Sequence, residues 1–262
     1  MPSIADIAAF LNDFAPLRLA AEWDNVGLLV GDDSKSASRV MMCLTVTPAS
    51  VAEAVREKAE LIITHHPFPF QPLRRITTAD PAGRMLLQLI GSNIAVYSPH
   101  TAFDSAAAGI NQQLAEGISL ADIQPLERDA IDPRLGVGRY GRVPGGTSLE
   151  VLANRLKHFL NLSGLQMVGQ PDNEVTLVAI ACGSGADVLD AALLAGCDCF
   201  ITGEARFHAC LEAEARGAAM LLTGHYASER FAVERLAEIV AEKFPSLKVW
   251  ASREEADPLN CV

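Results

Sequence analysis

No apolar run among the 262 residues reaches the roughly 18 residues that a membrane span requires. Met1-Pro2-Ser3 opens without the basic stretch and apolar core of a signal peptide, so the chain is expected to be cytoplasmic. Basic residues are few: 21 Lys and Arg stand against 32 Asp and Glu, for a net charge of -11. That balance repels phosphate backbones and anionic lipid, and Arg74-Arg75 is the only adjacent basic pair. Nucleic acid and membrane are therefore disfavoured as partners. The six cysteines form no C-x-x-C pair and mostly sit in apolar stretches, as reduced buried thiols do, which argues against a thiolate zinc site. Gly136, Gly138 and Gly141 match G-x-G-x-x-G, but Pro144-Gly145-Gly146 stands where a helix should begin, so no dinucleotide site is expected there.

What is present suits a large packed core, since half of the residues are hydrophobic. Ser3-Ile4-Ala5-Asp6 reads as a helix cap, and Ile4, Ile7, Phe10, Leu11 and Phe14 follow at helical spacing. Val40 to Val46 and Leu61-Ile62-Ile63 are near-continuous apolar runs separated by a helix predicted from about Pro48 to Lys58. This is the pattern of parallel strands buried on both faces.

The second half repeats this order. Placing Met41 over Ala179 aligns strand, helix (Asp187 to Ala195) and the run Cys199-Phe200-Ile201-Thr202 without a gap. A further strand follows in each half, Ile94 to Tyr97 and Met220 to Leu222. Each leads into a histidine with an acid four residues on, His100 with Asp104 and His225 with Glu229. Extra residues in the first half fit a loop around Pro69 to Gly83. Chance likeness between two β-α-β units is common, but the recurring histidine and acid favour a duplication. The expected fold is α/β, with two similar lobes from an internal duplication, residues 1–127 and 128–262. Early in the second lobe, Thr147-Ser148-Leu149-Glu150 reads as a capping box opening a helix.

Three groups carry candidate chemistry. Thr64-His65-His66-Pro67 places two imidazoles at the carboxyl end of a predicted parallel strand, where ligands of open α/β sheets collect. His225 and Glu229 fall on one face of a helix that begins near Gly224, a position expected to lower the imidazole pKa and favour the neutral ligand form. Asp104 follows the strand Ile94 to Tyr97. Each has a plain alternative: loop histidines with ordinary hydrogen bonds, a surface histidine and glutamate pair, and a helix N-cap. Three such groups at three strand ends together point to a metal site, and ligand type does not choose among zinc, iron, manganese, cobalt and nickel.

Trp23-Asp24-Asn25-Val26-Gly27, Thr64-His65-His66-Pro67, His100-Thr101-x-x-Asp104, Gly136-x-Gly138-Arg139, Thr202-Gly203-Glu204-x-x-x-His208 and Gly224-His225-Tyr226-x-x-Glu229 together resemble the NIF-three-like dinuclear metal centre proteins, the GTP cyclohydrolase I type 2 homologues. The resemblance runs from the first helix to Asp257-Pro258-Leu259. It implies two α/β lobes with a di-metal site between them, and a toroidal homohexamer. It assigns two divalent ions per chain to His65, His66, Asp104, His225 and Glu229, with Glu229 bridging. His100 and His208 match positions near that site and are assigned to supporting the ligands or to proton transfer rather than to ligation. The implied activity is metal-assisted hydrolysis of a small molecule. The competing reading is a metal-loaded hexamer that acts through a protein partner. No phosphate loop for a nucleoside triphosphate is visible, and Glu204 stands where many relatives carry Asp.

Overall fold

The structure, a computed structural model, describes residues 1–260. The chain forms helices α1 (Ile4–Phe14), α2 (Pro48–Arg56), α3 (Pro81–Gly91), α4 (His100–Ser105), α5 (Ile110–Gly117), α6 (Leu149–Leu160), α7 (Leu189–Leu194), α8 (Phe207–Ala215) and α9 (His225–Lys243). Its strands are β1 (Gly27–Val30), β2 (Arg39–Cys43), β3 (Leu61–Thr64), β4 (Ala95–Ser98), β5 (Ala121–Gln124), β6 (Glu127–Arg128), β7 (Gly136–Val137), β8 (Arg139–Ser148), β9 (Gln166–Val168), β10 (Glu174–Ala181), β11 (Cys199–Thr202), β12 (Ala219–Leu222) and β13 (Lys248–Ala251). Local signals set many of the boundaries. Ser3 and Asp6 close a full capping box on α1, as do Thr47 and Ser50 on α2, where Pro48 adds its pre-set φ at the first helical position. Helix α6 is capped by Ser148, whose Oγ accepts from the Val151 backbone N–H, rather than by the Thr147 and Glu150 pair, because β8 runs through Ser148 and the helix starts at Leu149.

The described residues divide into two compact units, Met1–Phe103 with Ala232–Pro258, and Asp104–Phe231 with residues 259–260. This departs from the expected division at 127 and 128 for two reasons. β5 pairs with β8, so residues beyond Asp104 join the second sheet, and β13 returns to pair in parallel with β2 of the first.

The first unit carries a five-stranded sheet in the order β1-β4-β3-β2-β13, parallel except for β1. Both faces are covered, which is why its strands read as unbroken apolar runs. One face packs Met41, Ile62 and Val96 against Val51, Ala54, Leu86 and Leu89. Each such fully buried aliphatic side chain contributes about 1.5–3 kcal/mol. The return strand is clamped by Glu53, 1% exposed, whose carboxylate accepts from Trp250 Nε1 at 3.2 Å, Ser252 Oγ at 2.6 Å and the backbone N–H groups of Arg253 and Glu254. Burial raises the pKa of this carboxyl, but those donors more than offset it, and Glu53 stays ionised below the ordinary range.

The second unit carries a six-stranded sheet in the order β5-β8-β10-β11-β12-β9. Its centre repeats the first. Val40 pairs with Leu61 and Met41 with Ile62 in one sheet, and Val178 with Cys199 and Ala179 with Phe200 in the other, the register that places Met41 over Ala179. In both, the third parallel strand carries an antiparallel edge strand, β1 on β4 and β9 on β12. The helix expected from Asp187 to Ala195 is instead a 3-10 turn, Gly185–Val188, followed by α7. The cysteine residues 43, 182, 197 and 199 are buried and Cys210 is half-buried; Cys261 lies outside the described residues.

Among the glycines of the rejected dinucleotide motif, two build a socket. Gly136 has φ +139 and approaches Glu127 so closely that a Cβ would lie 2.0 Å from its carbonyl oxygen; Gly138 has φ +61. The socket holds Arg139, 1% exposed, whose guanidinium donates to the carbonyls of Gly136 (2.9 Å), Gly138 (2.7 Å) and Ala106 (2.6 Å) and to Gln112 Oε1 (2.9 Å).

Candidate metal centre

In the first unit the site begins where β3 ends. His65 N donates to Cys43 O at 3.1 Å and His66 N to Leu44 O at 2.8 Å, so the ladder with the β2 segment runs past the strand. Ser98 Oγ donates to His65 O at 2.6 Å. Side chains alternate across a strand, yet these two rings converge, with centroids 5.0 Å apart, because β3 has ended and the chain bends at His65 and His66. His100, the first residue of α4, brings a third ring to within 5.1 Å of His65 and 5.6 Å of His66. The three offer ring nitrogens that all lie within 4.8 Å of one another.

Hydrogen bonds orient two of these rings. Thr45 Oγ1 lies 2.7 Å from His66 Nδ1, and the Thr45 and Leu44 N–H groups are held in turn by the Glu255 carboxylate. Asp24 Oδ1 lies 2.7 Å from His100 Nδ1 and has a fully buried side chain. Since the carboxylate only accepts, His100 Nδ1 is the donor of this bond, which leaves Nε2 as the ring nitrogen not engaged by Asp24. Burial raises the Asp24 pKa, but bonds from His100 and Thr101 bring it below the ordinary carboxylate value. His100 sits at φ +31, a conformation costing on the order of 1–3 kcal/mol, and the Asp24 contact helps to hold it. Asp24→Asn should therefore move the His100 proton to Nε2 or release the ring, visible in the nitrogen NMR shifts of labelled histidine, with a loss of about 10–100-fold in turnover. An unchanged tautomer would contradict this.

The second unit holds a histidine and carboxylate group. Gly224 N donates to Gly203 O at 2.8 Å, and α9 starts at the next residue. One helical turn then places His225 Nε2 3.2 Å from Glu229 Oε2, while His225 Nδ1 lies 3.0 Å from Glu204 Oε1. Glu204 is also bonded by Ser184 Oγ. Glu229 is 3% exposed, and the space beside it exists because residue 183 is glycine, where a Cβ would lie 2.2 Å from Glu229 Oε1. The expected lowering of the His225 pKa does not occur. It is pushed up to about 9, chiefly by the hydrogen bond to Glu229 and further by Glu204, and these carboxylates outweigh burial and the helix end. In the metal-free protein a proton thus holds the position between carboxylates that suits a cation.

Asp104 lies inside α4 and not at a helix N-cap. Cys182 Sγ donates to its Oδ1 at 3.3 Å, and Asn111 ties Asp104 O to Cys182 N. Burial pushes the Cys182 thiol far up, so it is a neutral donor rather than a thiolate. His208 is exposed on the first turn of α8 with its ring 5.9 Å from Phe207, and it joins no metal-type group among the described residues. Asp24 and Glu204 appear in the motifs and Gly183 in none of them, and all three gain roles only in three dimensions. The signal for Cys182 was its place at the carboxyl end of a parallel strand.

Each group offers donors of the kind divalent ions take: imidazole nitrogens in the first unit, and a buried carboxylate beside a histidine in the second. A profile of the family Duf34/NIF3 (NGG1p interacting factor 3) matches residues 2–258. The chain is 32% identical over 258 residues to a GTP cyclohydrolase 1 type 2 homolog of Clostridium perfringens, covering 98% of both chains. It is 33% identical to NIF3-like protein 1 of Drosophila melanogaster, covering 99% of this chain and 89% of that one. Among solved structures it is similar to Staphylococcus aureus protein SA1388, with a TM-score of 0.91, 26% identity and full coverage of both chains. The reduced HcgD of Methanocaldococcus jannaschii gives 0.82 at 27% identity, covering 95% and 97%.

Proposed function

Because the chain belongs to the Duf34/NIF3 family, we propose that it is a metal-dependent hydrolase carrying two divalent ions, with His65, His66, Asp104, His225 and Glu229 as ligands. The observation that carries this reading is the convergence of His65, His66 and His100, whose ring nitrogens lie within 4.8 Å. When bound, a pair of divalent ions supplies Lewis acidity and lowers the pKa of water toward neutrality. The chain's own residues do the rest. Thr45 orients His66, and Glu204 and Glu229 orient His225. Asp24 holds His100 so that Nε2 takes up or delivers a proton at the scissile bond. His208 is the second candidate for that proton; its exposed place beside Phe207 makes His100 the better one.

Relatives are called GTP cyclohydrolase 1 type 2 homologs, and guanine ring opening is one hydrolysis such a centre could perform. A second reading, a metal-loaded partner for another protein, draws support from the family's description as an interacting factor. We also read the chain as a cytoplasmic homohexamer. The exposed Leu73, Ile76, Leu87 and Ile90 of the first unit support assembly, and no helix among the described residues is long and apolar enough to cross a membrane.

Elemental analysis of purified protein should give about two divalent ions per chain. Fewer than one after metal supplementation overturns the reading. Turnover in a hydrolytic substrate screen, lost in His65→Ala, separates the enzyme from the interaction protein.

A further inference from the structure

The chain has two tryptophans, and they are treated oppositely. Trp250 is 8% exposed with its Nε1 bonded to Glu53, whereas Trp23 is 67% exposed. Trp23 does not stand alone. Its ring centroid lies 5.9 Å from His100 and 6.3 Å from Phe70, and Phe70, 49% exposed, lies 6.2 Å from His100. Single exposed apolar side chains are ordinary, but two adjoining aromatic rings left to water against a buried histidine cluster are a recognition feature.

The arrangement is built rather than loose. Asn25 Nδ2 donates to Pro69 O at 3.1 Å, which ties the Trp23 segment to the Phe70 segment. Asn25 N donates to Asp24 Oδ1 at 2.8 Å, and that same carboxylate fixes His100. The two rings are therefore set with reference to the imidazole. They meet at 50° rather than face to face, so the open indole face remains available to a third ring.

We propose that Trp23 and Phe70 form a stacking platform that binds a flat, conjugated ring of the substrate beside His100. The proposal rests on the reading of this site as the hydrolytic centre and narrows its substrates to aryl or heteroaryl compounds. Stacking recognises a π face and not its substituents, so a bare ring binds without sugar or phosphate. A saturated ring of the same size lacks the quadrupole match.

Benzimidazole and cyclohexanecarboxamide are the probes. Titration with benzimidazole should quench tryptophan fluorescence saturably, Trp23 being the accessible reporter, and the saturated amide should not. Saturation-transfer NMR then follows benzimidazole binding in the variants. Trp23→Ala should weaken it about tenfold or more, Trp23→Phe should keep most of it, and Phe70→Ala should weaken it severalfold. Both side chains are exposed, and circular dichroism checks that the fold is kept. Equal binding by Trp23→Ala, or quenching that tracks protein concentration because a second copy covers Trp23, overturns the proposal. His65→Ala keeps the two readings apart. It should lose at most one ion and retain ring binding; wild type that takes up no metal after supplementation yet binds benzimidazole refutes only the hydrolytic centre, and metal-loaded wild type that does not bind it refutes only the platform.

Discussion

Glu229→Gln should strip at least one divalent ion from each chain and abolish hydrolytic turnover while circular dichroism stays unchanged. Gln has the same volume, and the pocket beside Gly183 accommodates it, so the fold has no reason to yield. The charge is what matters. Two neighbouring dications would repel each other strongly, and the Glu229 carboxylate, as a ligand, would offset much of that. His65→Ala should be milder, sparing the second ion. The metal-free protein offers an independent reading. His225 there is held protonated to about 9, and the hydrogen bond to Glu229 is the first cause. A raised folded value contributes stability that is complete below the unfolded pKa of about 6.5 and fades as pH rises toward 9. In Glu229→Gln the His225 titration should fall toward the ordinary value, and this slope of stability with pH should flatten. Retention of two ions at unchanged affinity would refute the assignment.

The second large effect concerns stability alone. Arg139→Ala should destabilise the protein by about 4 kcal/mol, because it leaves a cavity and deprives three buried carbonyls of their donor. Arg139 faces no carboxylate within ion-pair distance among the described residues, and burial lowers its pKa to about 10. It is kept by neutral acceptors arranged to match a planar fork. Lysine cannot reproduce that fork, so Arg139→Lys should recover only part of the loss. Urea unfolding of both variants provides the measurement, and a loss under about 1 kcal/mol for the alanine variant would show that the socket collapses or rehydrates cheaply.

These two residues mark what the sequence makes legible. The parallel strands, their shared register and the caps of α1 and α2 follow from local patterns, since apolar runs and capping side chains act within a few residues. His65, His66, His225 and Glu229 stand at strand and helix ends, where their roles can be guessed from position. Long-range pairing leaves no such trace. Lys248–Ala251 is a short strand among charged residues, and nothing near it announces a partner more than two hundred positions earlier. Part of the His225 shift comes from Glu204, 21 residues away, and the orientation of His100 comes from Asp24, 76 residues away. The glycines around Arg139 imitate a nucleotide motif, and only the carbonyls they expose reveal a guanidinium socket.

The return of β13 to the first sheet has a consequence for synthesis on the ribosome. Residues 104–231 form one continuous stretch, so that unit can fold while the chain is still being made. The earlier-made unit cannot finish. Until residues 248–251 emerge, β2 remains an open edge, and Glu53 waits without Trp250, Ser252 and the N–H groups that keep its charge. The first unit to be translated is thus the last to close, and its exposed edge during that interval is where a nascent-chain chaperone would be expected to bind.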